Sequence, residues 1–272
     1  MKNLLTLCIL CLALSCATEP TTSTQQLIPE PIPVADPTPP APTIDVDTSV
    51  FNITYLTGKF DPTKHPNFTK VAAEYTDGDP YVLHEETYAA FEQMHAAAKA
   101  DGIKLTMVSA TRNFNRQKFI WEAKWTGKRL VEEGENLAET TPDPKARALR
   151  ILRWSSMPGT SRHHWGTDID LNALNNKYFE SGRGLAEYEW LVANGPRFGF
   201  CQPYSPKGEN GRPHGYNEEK WHWSYLPLAK QLTYLAQTQL QDSQINGFEG
   251  AETAPQIGVV EKYVLGINPD CL

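Results

Sequence analysis

Apolar residues recur at helical spacing through Tyr88, Phe91, Met94, His95 and Ala98, and Asp101-Gly102 then breaks the pattern. Ile103, Leu105 and Met107 alternate with Lys104 and Thr106, which predicts a half-buried strand ending at Ser109. Asn113 or Asn115 is placed to cap a helix running through Phe119, Ile120 and Ala123. Thr141-Pro142-Asp143 starts another, with Ala146, Leu149 and Leu152 on one face. Leu185, Tyr188, Leu191 and Val192 predict a further helix, stopped by Asn194-Gly195-Pro196. Short strands are expected at Ile169–Leu171 and Trp221–Tyr225, with a last helix over Leu228–Leu240. Helices and strands mix without a regular βαβ rhythm. The expected fold class is therefore α+β, a small, mostly antiparallel sheet flanked by helices.

The first fifty residues have a different character. Lys2 precedes an apolar run from Leu4 to Leu14, then Ser15-Cys16. That run is too short to span a bilayer but fits the hydrophobic region of a secretory signal. A small residue before cysteine resembles the bacterial lipobox, in which Cys16 becomes a lipidated N-terminus, although Ala13 and Leu14 depart from the usual pattern. From Thr18 to Thr43 the chain is rich in Pro and Thr and has almost nothing with which to build a core. The expected organisation is a signal peptide over 1–15, a lipidated cysteine and disordered linker over 16–50, a globular domain over 51–245 and a C-terminal tail over 246–272. The protein is expected to be exported and held by its lipid in the bacterial envelope, as a monomer.

The formal net charge of −7 argues against nucleic acid as a partner, because phosphate binding needs a basic face. Cys8 and Cys11 fall in the signal. That leaves Cys201 and Cys271, an even pair in an oxidising compartment, so a disulfide tying the tail to the domain is one reading and two buried thiols the other.

Histidine and carboxylate are dense in only two segments. One is Gly159 to Asp170, GTSRHHWGTDID, and the other is Asn217 to Tyr225, NEEKWHWSY. A hydrolytic zinc needs three protein ligands and an open position for water, plus a nearby carboxylate that is not a ligand to take a proton. A ligand pair from the first segment with a ligand and a base from the second satisfies that count. On a regular strand Glu219 and His222 would face opposite sides, so the chain must bend near Lys220 or Glu219 must lie in the loop before the strand. Gly166 is placed to supply a similar bend between His163 and Asp170.

Ser161-Arg162-His163-His164-Trp165-Gly166, ending at Asp170, resembles the S-x-H-x-x-G-x-x-x-D motif of the VanY-type D-alanyl-D-alanine carboxypeptidases. These are zinc peptidases of the M15 family, whose core is shared with the VanX dipeptidases and the hedgehog signalling domain. Glu219-Lys220-Trp221-His222 resembles the family's E-x-W-H, and Ser109-Ala110-Thr111-Arg112 with Gln117 its S-G-Y-R-S-x-x-x-Q. Phe198-Gly199-Phe200 with Pro203-Tyr204 is similar to G-F-x-x-P-Y, and the four motifs occur in family order over roughly residues 80 to 230.

The resemblance implies a hedgehog-like zinc peptidase core that binds one zinc ion through His163, Asp170 and His222, with Glu219 as general base. It places Arg112 in the substrate site, where a guanidinium suits a terminal carboxylate or an oxyanion, with Ser161 and Gln117 beside it. Asp168, where the family more often has alanine, and Trp221 are expected behind the ligands, Asp168 orienting a ligand histidine. His164 is expected to be packed or solvent-facing, and His214 to be no ligand. The implied substrates are peptidoglycan stem peptides. Within the family L,D-carboxypeptidase or endopeptidase activity is the alternative, and from a different class a zinc-containing envelope lipoprotein that binds peptides without cleaving them. The polar segment from Trp125 to Thr141 is long enough to shape the pocket.

Overall fold

A computed structural model describes residues 50–208 and 211–272. The expected signal, Cys16 and all of the linker but Val50 lie outside the described residues.

Four antiparallel strands make the central sheet: β3 (Met107–Ser109), β4 (Asp168–Leu171), β6 (His222–Tyr225) and β5 (Phe200–Cys201), in that spatial order. A separate two-stranded ribbon pairs β1 (Phe68–Lys70) with β2 (Val82–His84). The helices are α1 (Ile53–Leu56), α2 (Glu85–Ala100), α3 (Phe114–Trp125), α4 (Leu137–Thr140), α5 (Pro144–Ile151), α6 (Gly182–Asn194), α7 (Leu226–Gln239) and α8 (Ala254–Ile257). The architecture is α+β with a small antiparallel sheet. β3 is shorter than the predicted strand, because alternation begins at Ile103 but ladder pairing begins only at Met107.

The two faces of the sheet have different tasks. Met107, Ile169, Leu171, Phe200 and Trp223 join Phe91, Met94 and Ala98 of α2 and Trp190 and Leu191 of α6 in one hydrophobic cluster. Each large apolar side chain buried there contributes roughly 1.5–3 kcal/mol. Side chains alternate along a strand, so Asp168 and Asp170 of β4 and His222 and Ser224 of β6 share the opposite face. That face meets a second cluster built from α1, α3, α5, α7, α8 and the C-terminal segment.

Caps fix where the helices begin. Asn113 Oδ1 accepts from Arg116 N at 2.9 Å and so starts α3 immediately after Arg112. Asp143 Oδ1 accepts from Ala146 N at 2.7 Å, with Pro144 at the first position of α5. The buried faces differ from those drawn from aliphatic spacing. Phe119 is 66% exposed, Leu149 40% and Val192 50%, while Gln117, Trp121 and Trp125 of α3, Ala148 and Ile151 of α5, and Glu187 and Trp190 of α6 turn inward. Tertiary partners override the pattern: Trp121 Nε1 donates to Glu249 O at 2.9 Å, and Glu187 accepts from Asn172 and Tyr178 at 2.7 Å each.

The segment after residue 245 joins the same core through Ala254, Ile257, Val259, Val264 and Ile267. Cys201 of β5 is bonded to Cys271, with their Cα atoms 5.8 Å apart. The buried Arg212 donates to the carbonyls of Ser205, Tyr216 and Gly266, linking the loop before β6 to the C-terminal segment.

Candidate active site

Asp170 and His222 are direct partners across β4 and β6, and Asp168 pairs with Ser224 two residues along. The sheet alone therefore sets two acceptors side by side. His163 arrives from a 3-10 turn over Arg162–Trp165 that Gly166 terminates at φ +74°. A Cβ on Gly166 would lie 2.5 Å from the Phe68 ring, so the turn that returns the chain to β4 needs glycine there. Glu219 lies outside β6, in the loop leading into it, and its carbonyl accepts from His222 N at 3.3 Å. The bend required between Glu219 and His222 is thus made before the strand begins.

The four side chains converge. His163 Nε2 is 3.3 Å from Asp170 Oδ2, and His222 Nδ1 is 3.1 Å from Asp170 Oδ1 and 3.3 Å from Glu219 Oε2. One ligand-type atom from each of His163, Asp170 and His222 lies within 4.8 Å of the others, and all three residues are buried. His163 Nδ1 lies 2.8 Å from Ala110 O, which makes it the protonated nitrogen and leaves Nε2 with a lone pair facing Asp170. His222 Nε2 lies 2.9 Å from Asp168 Oδ1, which directs Nδ1 towards Asp170 and Glu219.

His163 Nε2 and Asp170 Oδ1 are buried and have no hydrogen-bond partner. Buried acceptors facing one another require positive charge between them. Burial disfavours a charge on His222, but Asp168, Asp170 and Glu219 outweigh it and raise the ring's pKa well above the ordinary value. A divalent cation meets the same demand and competes with that proton. Two imidazoles and a carboxylate suit zinc, so the donor set fits the ion that the sequence implied.

Asp168 belongs to a network behind the clustered ligand-type atoms. Arg162 Nε sits 3.2 Å from Asp168 Oδ1, both side chains fully buried, while Ser224 and Thr167 donate to Oδ2. Arg162 also donates to Ser224 Oγ and Thr233 Oγ1 at 2.9 Å each. Burial pushes the Asp168 carboxyl up, but Arg162 and then His222 hold it well below the usual carboxylate range. Arg162 was not singled out in the sequence, although its place six residues before the unusual Asp168 was the available signal.

His164 is packed rather than solvent-facing. It is fully buried, its Nε2 accepts from Gly159 N at 3.0 Å, and its Nδ1 donates to Arg112 O at 2.6 Å. It therefore ties the Arg112 segment to the turn that carries His163. Arg112 N donates to His163 O at 3.1 Å, and the Arg112 Nε is buried without a partner. Ser161 is buried with its Oγ likewise unpartnered. Gln117 is buried too, but its Nε2 is taken by Ser156 O at 2.8 Å. Trp221 is buried and stacks on Trp154, ring centroids 5.8 Å apart. Tyr204 packs its ring 4.6 Å from that of His222. His214 is exposed and is not among the clustered ligand-type side chains. Burial raises the Glu219 pKa, and His222 opposes that rise.

A cluster of three ligand-type side chains with a further carboxylate beside it is the arrangement of metal-dependent hydrolases. Residues 81–228, more than half of the chain, match the family model for VanY, D-alanyl-D-alanine carboxypeptidase. The chain belongs to that family, and the match contains every residue of the cluster. A D-alanyl-D-alanine carboxypeptidase of Enterococcus faecalis is 31% identical over 137 residues, 50% of this chain and 46% of the relative. The chain spans about half the length of the curated relatives it matches. Among solved structures, a vancomycin-resistance D,D-pentapeptidase VanY in complex with Zn(II) aligns with TM-score 0.43 and 24% identity, covering 68% of this chain and 93% of that one. The LdcB LD-carboxypeptidase aligns with TM-score 0.46 and 22% identity, covering 72% and 79%.

Proposed function

We propose that this protein is a zinc-dependent D-alanyl-D-alanine carboxypeptidase that trims peptidoglycan stem peptides in the bacterial envelope. The observation that carries this reading is the convergence of His163, Asp170 and His222 with Glu219 alongside, inside the segment that matches the family. His163 Nε2, an Asp170 oxygen and His222 Nδ1 would hold the ion. When bound, zinc supplies a Lewis acid that acidifies water and polarises a carbonyl.

The remaining chemistry belongs to the chain. Glu219 takes a proton from the attacking water and passes it to the leaving amine, and its raised pKa brings it nearer to a value from which both transfers run at neutral pH. Arg112, with its Nε free, pairs the terminal carboxylate or the developing oxyanion, and Ser161 Oγ offers a further contact. Asp168 fixes the His222 ring, and Tyr204 packs beside it, while Trp221 stacks on Trp154. Cys16 is the proposed lipid anchor, which places the domain outside the cytoplasm. Among the described residues no helix is long and apolar enough to cross a membrane.

The test is mass spectrometry of a pentapeptide stem ending in D-Ala-D-Ala, incubated with zinc-loaded protein with and without chelator. Loss of one alanine that stops on chelation supports the reading. Cleavage of tetrapeptides alone would reassign the enzyme as an L,D-carboxypeptidase, and binding without cleavage of any stem would make it a peptide-binding protein.

A further inference from the structure

Glu219 is buried but stands outside the sheet, since β6 begins only at His222. No strand ladder fixes the main chain around it, so its backbone groups must find their partners one by one. Asn176 opens a 3-10 turn over Asn176–Glu180 and supplies two of these partners. Its Nδ2 donates to Glu218 O at 2.7 Å, and its Oδ1 accepts from Lys220 N at 3.0 Å. One amide side chain thus grips the chain immediately before and immediately after Glu219. The peptide groups of Glu219 itself go to the segment that follows β5. Glu219 N donates to Tyr204 O at 2.9 Å, and Glu219 O accepts from Gln202 Nε2 at 3.2 Å.

Gln202 is fixed in turn. Tyr188 OH of α6 donates to its Oε1 at 2.8 Å, which leaves Nε2 to face the carbonyls of Glu219 and Tyr204. Asn268 Nδ2 donates to Gln202 O at 3.3 Å, and Asn268 N to Pro203 O at 2.8 Å, so the C-terminal segment holds the stretch on which Gln202 stands. The two amide side chains therefore spend their donors and acceptors on the main chain at residues 204 and 218–220 and on Tyr188. What they hold matters to the chemistry, because the Glu219 carboxylate reaches only as far as its main chain allows. It lies 3.3 Å from His222 Nδ1, and a displacement of about 1 Å in a reacting group costs about 10²-fold in rate.

We propose that Asn176 and Gln202 are positioning residues that act on the reaction through Glu219, by fixing the main chain from which its carboxylate reaches the space beside His222. This rests on the carboxypeptidase reading and deepens it. The sheet register places Asp170 and His222, whereas the base is placed by two amides from other parts of the chain. Loss of either amide leaves the ligand set intact and lets the base drift.

The test is a double-mutant cycle on the zinc-loaded full chain with a D-Ala-D-Ala pentapeptide. N176A and Q202M should each lower kcat about 10-fold or more, with KM and zinc content within about twofold of the parent. N176D, which keeps the shape and the acceptor but not the donor, replaces N176A if that variant does not fold. The losses should not multiply: each substitution combined with E219Q should run within about threefold of E219Q alone. Full multiplication, or a loss confined to KM or to zinc retention, would overturn the proposal. Amide hydrogen exchange supplies a readout that needs no turnover, and N176A should speed exchange at Lys220 N about 10-fold or more. Unchanged exchange there would overturn the role of Asn176. A parent that cleaves no stem peptide would defeat the carboxypeptidase reading instead, and the exchange comparison would still decide whether Asn176 holds the Glu219 loop.

Discussion

The Nε2 of His222 lies 2.9 Å from the Asp168 carboxylate, and this contact decides which nitrogen the ring presents to Asp170 and Glu219. Asp168 is itself held by the buried guanidinium of Arg162 at 3.2 Å. Replacing Asp168 with Asn keeps an acceptor but leaves Arg162 buried and unpaired. D168N should lower zinc affinity about 10- to 100-fold, measured by competition with a chelator. It should also cost about 3–5 kcal/mol of stability in urea. Unchanged zinc affinity would remove Asp168 from the orientation of His222.

Glu219 is the carboxylate of the cluster that no metal-ligand role requires. E219Q should lower kcat about 10²- to 10⁴-fold while the protein retains its zinc, as metal analysis of the purified variant would show. A variant as fast as the parent would remove Glu219 from proton transfer.

Asp170 faces both imidazoles, so its loss should empty the site rather than merely slow it. D170N should retain less than one zinc per chain after dialysis and should lack activity. Full zinc occupancy in that variant would move the metal elsewhere.

The Cys201–Cys271 bond spans 70 residues of sequence and anchors the C-terminal segment to β5. Paired serine substitution should destabilise the domain by roughly 2–4 kcal/mol in denaturant titration. A midpoint equal to that of the parent would mean that the core contacts of the segment suffice alone.

Burial lowers the folded pKa of Lys124 to about 8 from 10.5. The unfolded chain therefore binds the extra proton between those values, and the folded protein gains stability from Lys124 as pH rises through that window. Below about pH 8 the charge is held at full cost. K124M should melt at a higher temperature than the parent at pH 7.5, and the gap should close towards pH 10.5. A gap independent of pH would show that the ammonium is better solvated than its burial implies.

Metal chemistry and short motifs narrowed the search to two segments, the family resemblance picked His163, Asp170 and His222 from them, and the fold brings those three side chains together. His163 and Asp170 are seven residues apart and Glu219 and His222 three apart, so a single local turn settles each pair. The inward faces of α3, α5 and α6 were less readable. Apolar spacing pointed to Phe119, Leu149 and Val192, which lie at the surface, while Gln117, Trp121 and Glu187 are buried because distant backbone and side-chain groups satisfy their polar atoms. Composition cannot reveal a partner more than a hundred residues away, as Glu249 is for Trp121.

By itself the sequence determined the class of chemistry, the α+β character and the demand for a bend before His222, since all three follow from residue type and short-range spacing. Only the tertiary structure decided the pairing of Arg162 with Asp168, the ring nitrogen that His222 presents, the burial of His164 between two loops and the hydrogen bond from Lys124 to Ser155. Each of these depends on strand register or on long-range packing, which bring together groups that the chain itself keeps far apart.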